Sequence, residues 1–113
     1  MFQLKNKMLS KNKRVTKDIF QTILKKGNII SGSFFLFRYI PFERPAYAFV
    51  VSKKIAKTAI KRNSLRRAGY NILRNYKLKS ASGLFFYKKE ALTTPQIELK
   101  KDIENILTKA NFL

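Results

Sequence analysis

The chain has 113 residues, 25 of them Lys or Arg against 6 Asp or Glu, giving a formal charge of +19 on a composition that is 45% hydrophobic and 13% aromatic. That length and apolar share suit one domain with a core, while a charge far past what solubility needs implies a polyanionic partner that relieves self-repulsion. Cysteine and histidine are both absent, which excludes disulfides, thiolate zinc sites and the usual general base, and argues against an autonomous enzyme.

Residues 1–14 carry Lys5, Lys7, Lys11, Lys13 and Arg14 with little periodic hydrophobicity, and read as a basic, flexible arm. The start lacks the apolar stretch of roughly 7–15 residues that a secretory signal needs, so the cytoplasm is the expected compartment, with an organellar transit peptide the weaker alternative. A first helix is predicted over residues 16–26, with Ile19, Phe20, Ile23 and Leu24 as its buried face, Thr16 as N-cap and Gly27 as its stop. Residues 31–33 form a turn into a strand over 34–40. Both faces of that strand are largely apolar, so it is covered on both sides or lines a cleft. Pro41 and Pro45 bracket a break before a strand over 46–53, and with no helix between them these two strands are expected to pair antiparallel. Apolar runs this short do not span a bilayer, so a membrane is not the expected polyanion.

A basic helix is predicted over residues 57–76. At about 100° per residue, Leu65, Ala68, Gly69, Ile72 and Tyr76 form its apolar stripe. Asn63, Arg67, Tyr70 and Arg74 form the opposite ridge, with Arg66 at its edge. A strand over 83–88 follows, continuously apolar from Leu84 to Tyr87 and therefore central. Thr94 as N-cap and Pro95 at the first helical position open a last helix with Leu99, Ile103, Ile106, Leu107 and Ala110 on one stripe. The order is α-β-β-α-β-α, an α+β domain in which the strands flanking the basic helix can be parallel neighbours. Phe34, Phe35, Phe85 and Phe86 are expected in the core.

Residues 50–89 hold twelve Lys and Arg and not one Asp or Glu, whereas Glu98, Asp102 and Glu104 cluster in the last helix. A solvated helix face normally mixes Glu with Lys, so this acid-free stretch reads as a phosphate-binding face. Helix-turn-helix DNA binding is disfavoured, because strands flank the basic helix. The one carboxylate pair at helical spacing, Glu98 and Asp102, sits beside Lys100 and Lys101 and reads as surface ion pairing.

The succession Ser52, Lys53, Lys54, a short spacer, Arg62, Asn63, then Arg66 and Arg67 resembles the signature of the protein subunit of bacterial ribonuclease P. The chain departs from the family's usual pattern at Ser64, where a second Arg is customary, and has Tyr70 near the family's later Arg. The resemblance implies a single RNA-binding domain over residues 15–113, in a sandwich like the second domain of ribosomal protein S5 with a left-handed βαβ crossover. It implies a non-catalytic subunit that assists a catalytic RNA in removing the 5′ leader of precursor tRNA, both RNAs being its partners and DNA and membrane not. RNA contact is implied for Lys53, Lys54, Lys61, Arg62, Asn63, Arg66, Arg67, Tyr70 and Arg74, and a single-stranded leader cleft for Phe20, Arg38 and Ser52. Leu24 stands where the family has a second helical Phe. The Mg2+ of the holoenzyme is implied to be held mainly by RNA. A structural RNA-binding module of the ribosomal-protein kind, with no part in a nuclease, is the alternative.

Overall fold

The computed structural model describes residues 15–112; the arm expected over residues 1–14 lies outside them. Thr16 caps the first helix, α1 (Lys17–Lys26), by accepting the Ile19 N–H at 3.3 Å. Asp18 in its first turn and Lys25 and Lys26 in its last complement the helix dipole. The elements that follow are β1 (Asn28–Ser31), β2 (Phe35–Pro41), β3 (Ala46–Val50), α2 (Ala59–Leu73), β4 (Ala81–Tyr87), a 3-10 turn (Lys89–Thr93) and α3 (Gln96–Lys109).

The four strands form one sheet in the order β1-β2-β4-β3, parallel between β3 and β4 and antiparallel elsewhere. The antiparallel pairing expected between the strands now labelled β2 and β3 does not occur, because β4 lies between them. Proximity in sequence favoured a hairpin there. It loses to β4, whose apolar residues need cover on both faces and whose backbone is paired on both edges in the central position. Ser82, fully buried on β4, secures the parallel pair by donating its hydroxyl to the Ala46 carbonyl at 2.8 Å. The crossover β3-α2-β4 suggested by the basic helix is therefore present.

The sheet register sorts side chains onto two faces. Phe37, Phe85 and Phe49 lie side by side across β2, β4 and β3, with ring centroids 4.4 and 4.9 Å apart, on the face covered by α2 and α3. Burial of each such Phe stabilises the fold by about 1.5–3 kcal/mol. The other face carries Leu36, Phe86 and Val50 in one row and Arg38, Leu84 and Ala48 in the next. Helix α1 rests mainly on β2 and β4, where its Ile23 and the Leu84 beneath are fully buried. Phe34 and Phe86, expected in the core, are only half-buried, in contrast to Phe35 and Phe85.

The expected strand to residue 53 ends at Val50, and the helix expected over 57–76 runs over Ala59–Leu73. Pro95, rather than Thr94, occupies the N-cap of α3, and the Thr94 hydroxyl turns back to the Glu90 carbonyl at 2.7 Å. The predicted stripe of α3 is buried throughout. Its end is a Schellman turn: Asn111 adopts φ 61°, the Phe112 N–H reaches the Leu107 carbonyl at 2.8 Å, and the Phe112 ring packs edge-on to Phe37 and Tyr39.

Candidate nucleic-acid interface

The rotation of α2 decides which of its side chains meet solvent. Gly69 lies directly over the Phe49 ring, so the helix backbone settles onto the sheet there, and Tyr87 donates its hydroxyl to the Leu65 carbonyl at 2.6 Å. Burial pushes the Tyr87 phenol above its ordinary pKa. With Gly69 down, the buried strip is Gly69, Tyr70, Ile72 and Leu73, while Leu65 and Tyr76 are only half-buried.

Tyr70, predicted on the RNA-facing ridge, is therefore a core residue. Its ring stands edge-on to Phe49, centroids 5.3 Å apart and planes at 89°. The helical wheel alone placed it opposite Gly69's stripe; the close approach at Gly69 turns the helix and takes the adjacent aromatic inward.

The rest of the predicted cationic surface is present. Lys53, Lys54, Lys61, Asn63, Arg67 and Arg74 are exposed, and Arg66 is half-buried with its guanidinium donating to the Asn63 side-chain oxygen. The first turn of α2 holds no acid, and Thr58 caps it through the Lys61 N–H at 3.1 Å. Arg62 behaves differently from its neighbours: half-buried, it donates through Nη1 to the carbonyls of Ala56 at 3.0 Å and Lys57 at 3.1 Å.

Two of the predicted cleft residues, Phe20 and Arg38, fall on the α1 side of the sheet. Phe20 is half-buried on the side of α1 that carries Ile23. Arg38, on the strand face beneath, donates to the Leu24 carbonyl at 3.2 Å, and its guanidinium carbon is 6.0 Å from the centre of the Phe86 ring. Arg38 thus serves the last turn of α1. Ser52 is exposed just past the end of β3, a strand away from β4 and two from Arg38. Between them, Ala48, Val50 and Phe86 are half-buried, so the part of this face beyond α1 is partly open and apolar, with Arg38 beside Phe86.

Sequence reasoning misread Asp102. Far from a surface ion pair, it is buried and accepts three backbone N–H groups, from Ser33 at 2.8 Å, Phe34 at 2.9 Å and Phe35 at 3.1 Å, clamping the β1–β2 turn to α3. Only Glu98 has the expected surface role, 3.7 Å from Lys101. Among the described residues, no three His, Cys, Asp or Glu come together, and no helix is long and apolar enough to cross a membrane. A groove of about 360 Å³ between α2 and α3, lined by Asn71, Asn75, Gln96 and Lys100 among others, also escaped prediction, because its two walls are distant in sequence.

Fold and surface together define a small, strongly basic α+β protein whose exposed helical face on α2 carries cations and no acid. The family model for Ribonuclease P matches residues 8–111. The chain belongs to the ribonuclease P protein family. A ribonuclease P protein component from Thermus brockianus is 31% identical over 90 residues, which are 80% of this chain and 55% of that protein; the chain spans about half the length of this curated relative. Among solved structures, a mutant of the Staphylococcus aureus RNase P protein superposes with a TM-score of 0.79 at 21% identity, covering 89% of this chain and 90% of that one. The RNase P protein of Thermotoga maritima gives 0.74 at 22% identity, covering 85% and 94%. These likenesses establish the fold, including its four-stranded sheet and three helices.

Proposed function

We propose that the chain is the protein component of a ribonuclease P and assists a catalytic RNA in removing the 5′ leader from precursor tRNA. Membership of the family supports this, and the observation that carries it is the exposed, acid-free side of α2. There Lys61, Asn63, Arg66, Arg67 and Arg74 offer donors to the phosphates of the RNA subunit. Lys53 and Lys54, with Phe20, Arg38 and Ser52, serve the single-stranded leader along the half-open sheet face, where apolar contact and backbone charge act together.

The contribution is electrostatic and positional. Neutralised phosphates let two polyanions approach, and binding energy goes into fixing the scissile phosphate rather than into bond chemistry. The Mg2+ that cleavage needs is assigned to the RNA, since Asp102 is engaged with three backbone N–H groups and Glu98 faces Lys101. The cytoplasm, where precursor tRNA is made in bacteria of this family, is the proposed compartment.

Reconstitution tests the reading. The full chain, mixed with the family's RNA subunit at low Mg2+, is expected to restore leader removal from precursor tRNA that neither component performs alone under those conditions. Recovery of the chain with ribosomal subunits instead, and no stimulation of cleavage, would favour a structural RNA-binding module.

A further inference from the structure

Of the three arginines in the motif at residues 62–67, Arg62 is the one that reaches back to the backbone preceding the helix. Its Nη1 donates to the carbonyls of both Ala56 and Lys57. Those carbonyls close a segment that is itself folded: the Ser52 carbonyl accepts from the N–H groups of Ile55 and Ala56, each at 3.1 Å, and Ala56 is buried. Residues 52–57 are therefore a compact turn hung between β3 and α2. It is tied at its far end by a side chain from the second turn of the helix. On it stand Lys53, Lys54 and Lys57, all exposed.

We propose that Arg62 is a positioning residue, which pins the 52–57 turn so that Lys53 and Lys54 are held beside the open sheet face, and that it contributes to RNA binding chiefly through them. The proposal rests on the functional reading above for its second half only; the pinning is a property of the free chain. Charged donors on backbone carbonyls are among the stronger intramolecular hydrogen bonds, and a preordered pair of lysines loses less freedom on meeting RNA than a mobile one. Arg66 and Arg67 have no comparable tie to this turn. Arg66 pairs with Asn63 on the same helix, and Arg67 is exposed.

Arg62→Met tests it, since Met keeps an aliphatic stem against the turn and removes the donors. In the free full-length chain, amide hydrogen exchange at Ile55 and Ala56 is expected to quicken about tenfold, with Leu84 and Phe85 unchanged. In the complex with the RNA subunit and leader-bearing precursor tRNA, Arg62→Met is expected to weaken binding. It should add little further loss to a chain already carrying Lys53→Ala and Lys54→Ala, whereas Arg67→Ala should add its full loss to the same background. Unchanged exchange at Ile55 and Ala56 would overturn the proposal, as would exchange quickened equally in β4, which would make Arg62 a general support of the fold. A full, additive binding loss for Arg62→Met would also overturn it, by making Arg62 a direct RNA ligand. Faster exchange in a chain that does not bind the RNA at all would leave the pinning standing and overturn the functional reading instead.

Discussion

Gly69 and Phe49 touch so closely that a Cβ on the glycine would come within 2.6 Å of the Phe49 ring. This contact sets the depth and rotation of α2, and with them the set of basic side chains that face outward. Gly69→Ala gains about 1 kcal/mol in helix propensity. It must displace a buried ring to do so, and overpacking of this kind costs about 1–3 kcal/mol. A net loss of stability is therefore expected, read as a lower midpoint in thermal or denaturant melting. Phe49→Leu combined with Gly69→Ala should recover part of it, and a variant as stable as the parent would mean that the helix is not held by this contact.

Asp102→Asn should destabilise the fold by about 1.5–3 kcal/mol, because one of the two acceptor oxygens that hold Ser33, Phe34 and Phe35 becomes a donor. Glu98→Gln should change stability by a few tenths of a kcal/mol at most, as expected for an exposed pair. Urea titrations of the two variants read the contrast; equal midpoints would return Asp102 to the surface.

Arg67→Ala is expected to weaken binding to the RNA subunit by about 1–3 kcal/mol and to lower the slope of log affinity against log salt by about 1. Tyr70→Phe should leave that slope untouched, since its ring is buried against Phe49. Affinities measured across a salt series decide, and a slope that Arg67→Ala does not move would take the interface off this helix.

Phe20→Leu keeps most of the apolar volume on α1 and loses the flat π-face. A stacking role predicts a loss of about 1–3 kcal/mol in binding of leader-bearing precursor with little change in melting. Trimming the leader to one nucleotide should abolish the difference between parent and variant. Equal affinities for the long-leader substrate would make Phe20 a core residue only.

Patterns that repeat along a few turns were legible in the sequence. Thr16 and the Leu99-to-Ala110 stripe announced α1 and α3, and the unbroken apolar run at Leu84 announced a central strand. Strand β1 was not legible, because Asn28, Ile29, Ile30 and Ser31 are too few for a period and Ile29 is more than half exposed at the sheet edge. Asp102 was misread for a related reason. Its partners lie 67 to 69 residues away, and no local pattern encodes a contact of that span. On α2, the exposure of Lys61, Asn63, Arg67 and Arg74 was legible from the helical spacing, but the burial of Tyr70 was not, since its direction depends on how far Gly69 lets the helix sink. The motif singled out Arg62, while its tie to Ala56 and Lys57 needed the turn to be seen.

The place of β4 has a bearing on how the chain comes off the ribosome. Its strand is the last to be synthesised and the only one that touches both β2 and β3; Ser82 and its partner Ala46 are 36 residues apart. A nascent chain that has emerged only as far as residue 80 holds the β1–β2 hairpin and a β3–α2 segment with no shared ladder, and its most cationic helix has only β3 beneath it. Such a chain exposes apolar strands and bare charge together, in immediate reach of ribosomal RNA. Closure by β4 is what joins the two halves into one sheet and covers their apolar strands.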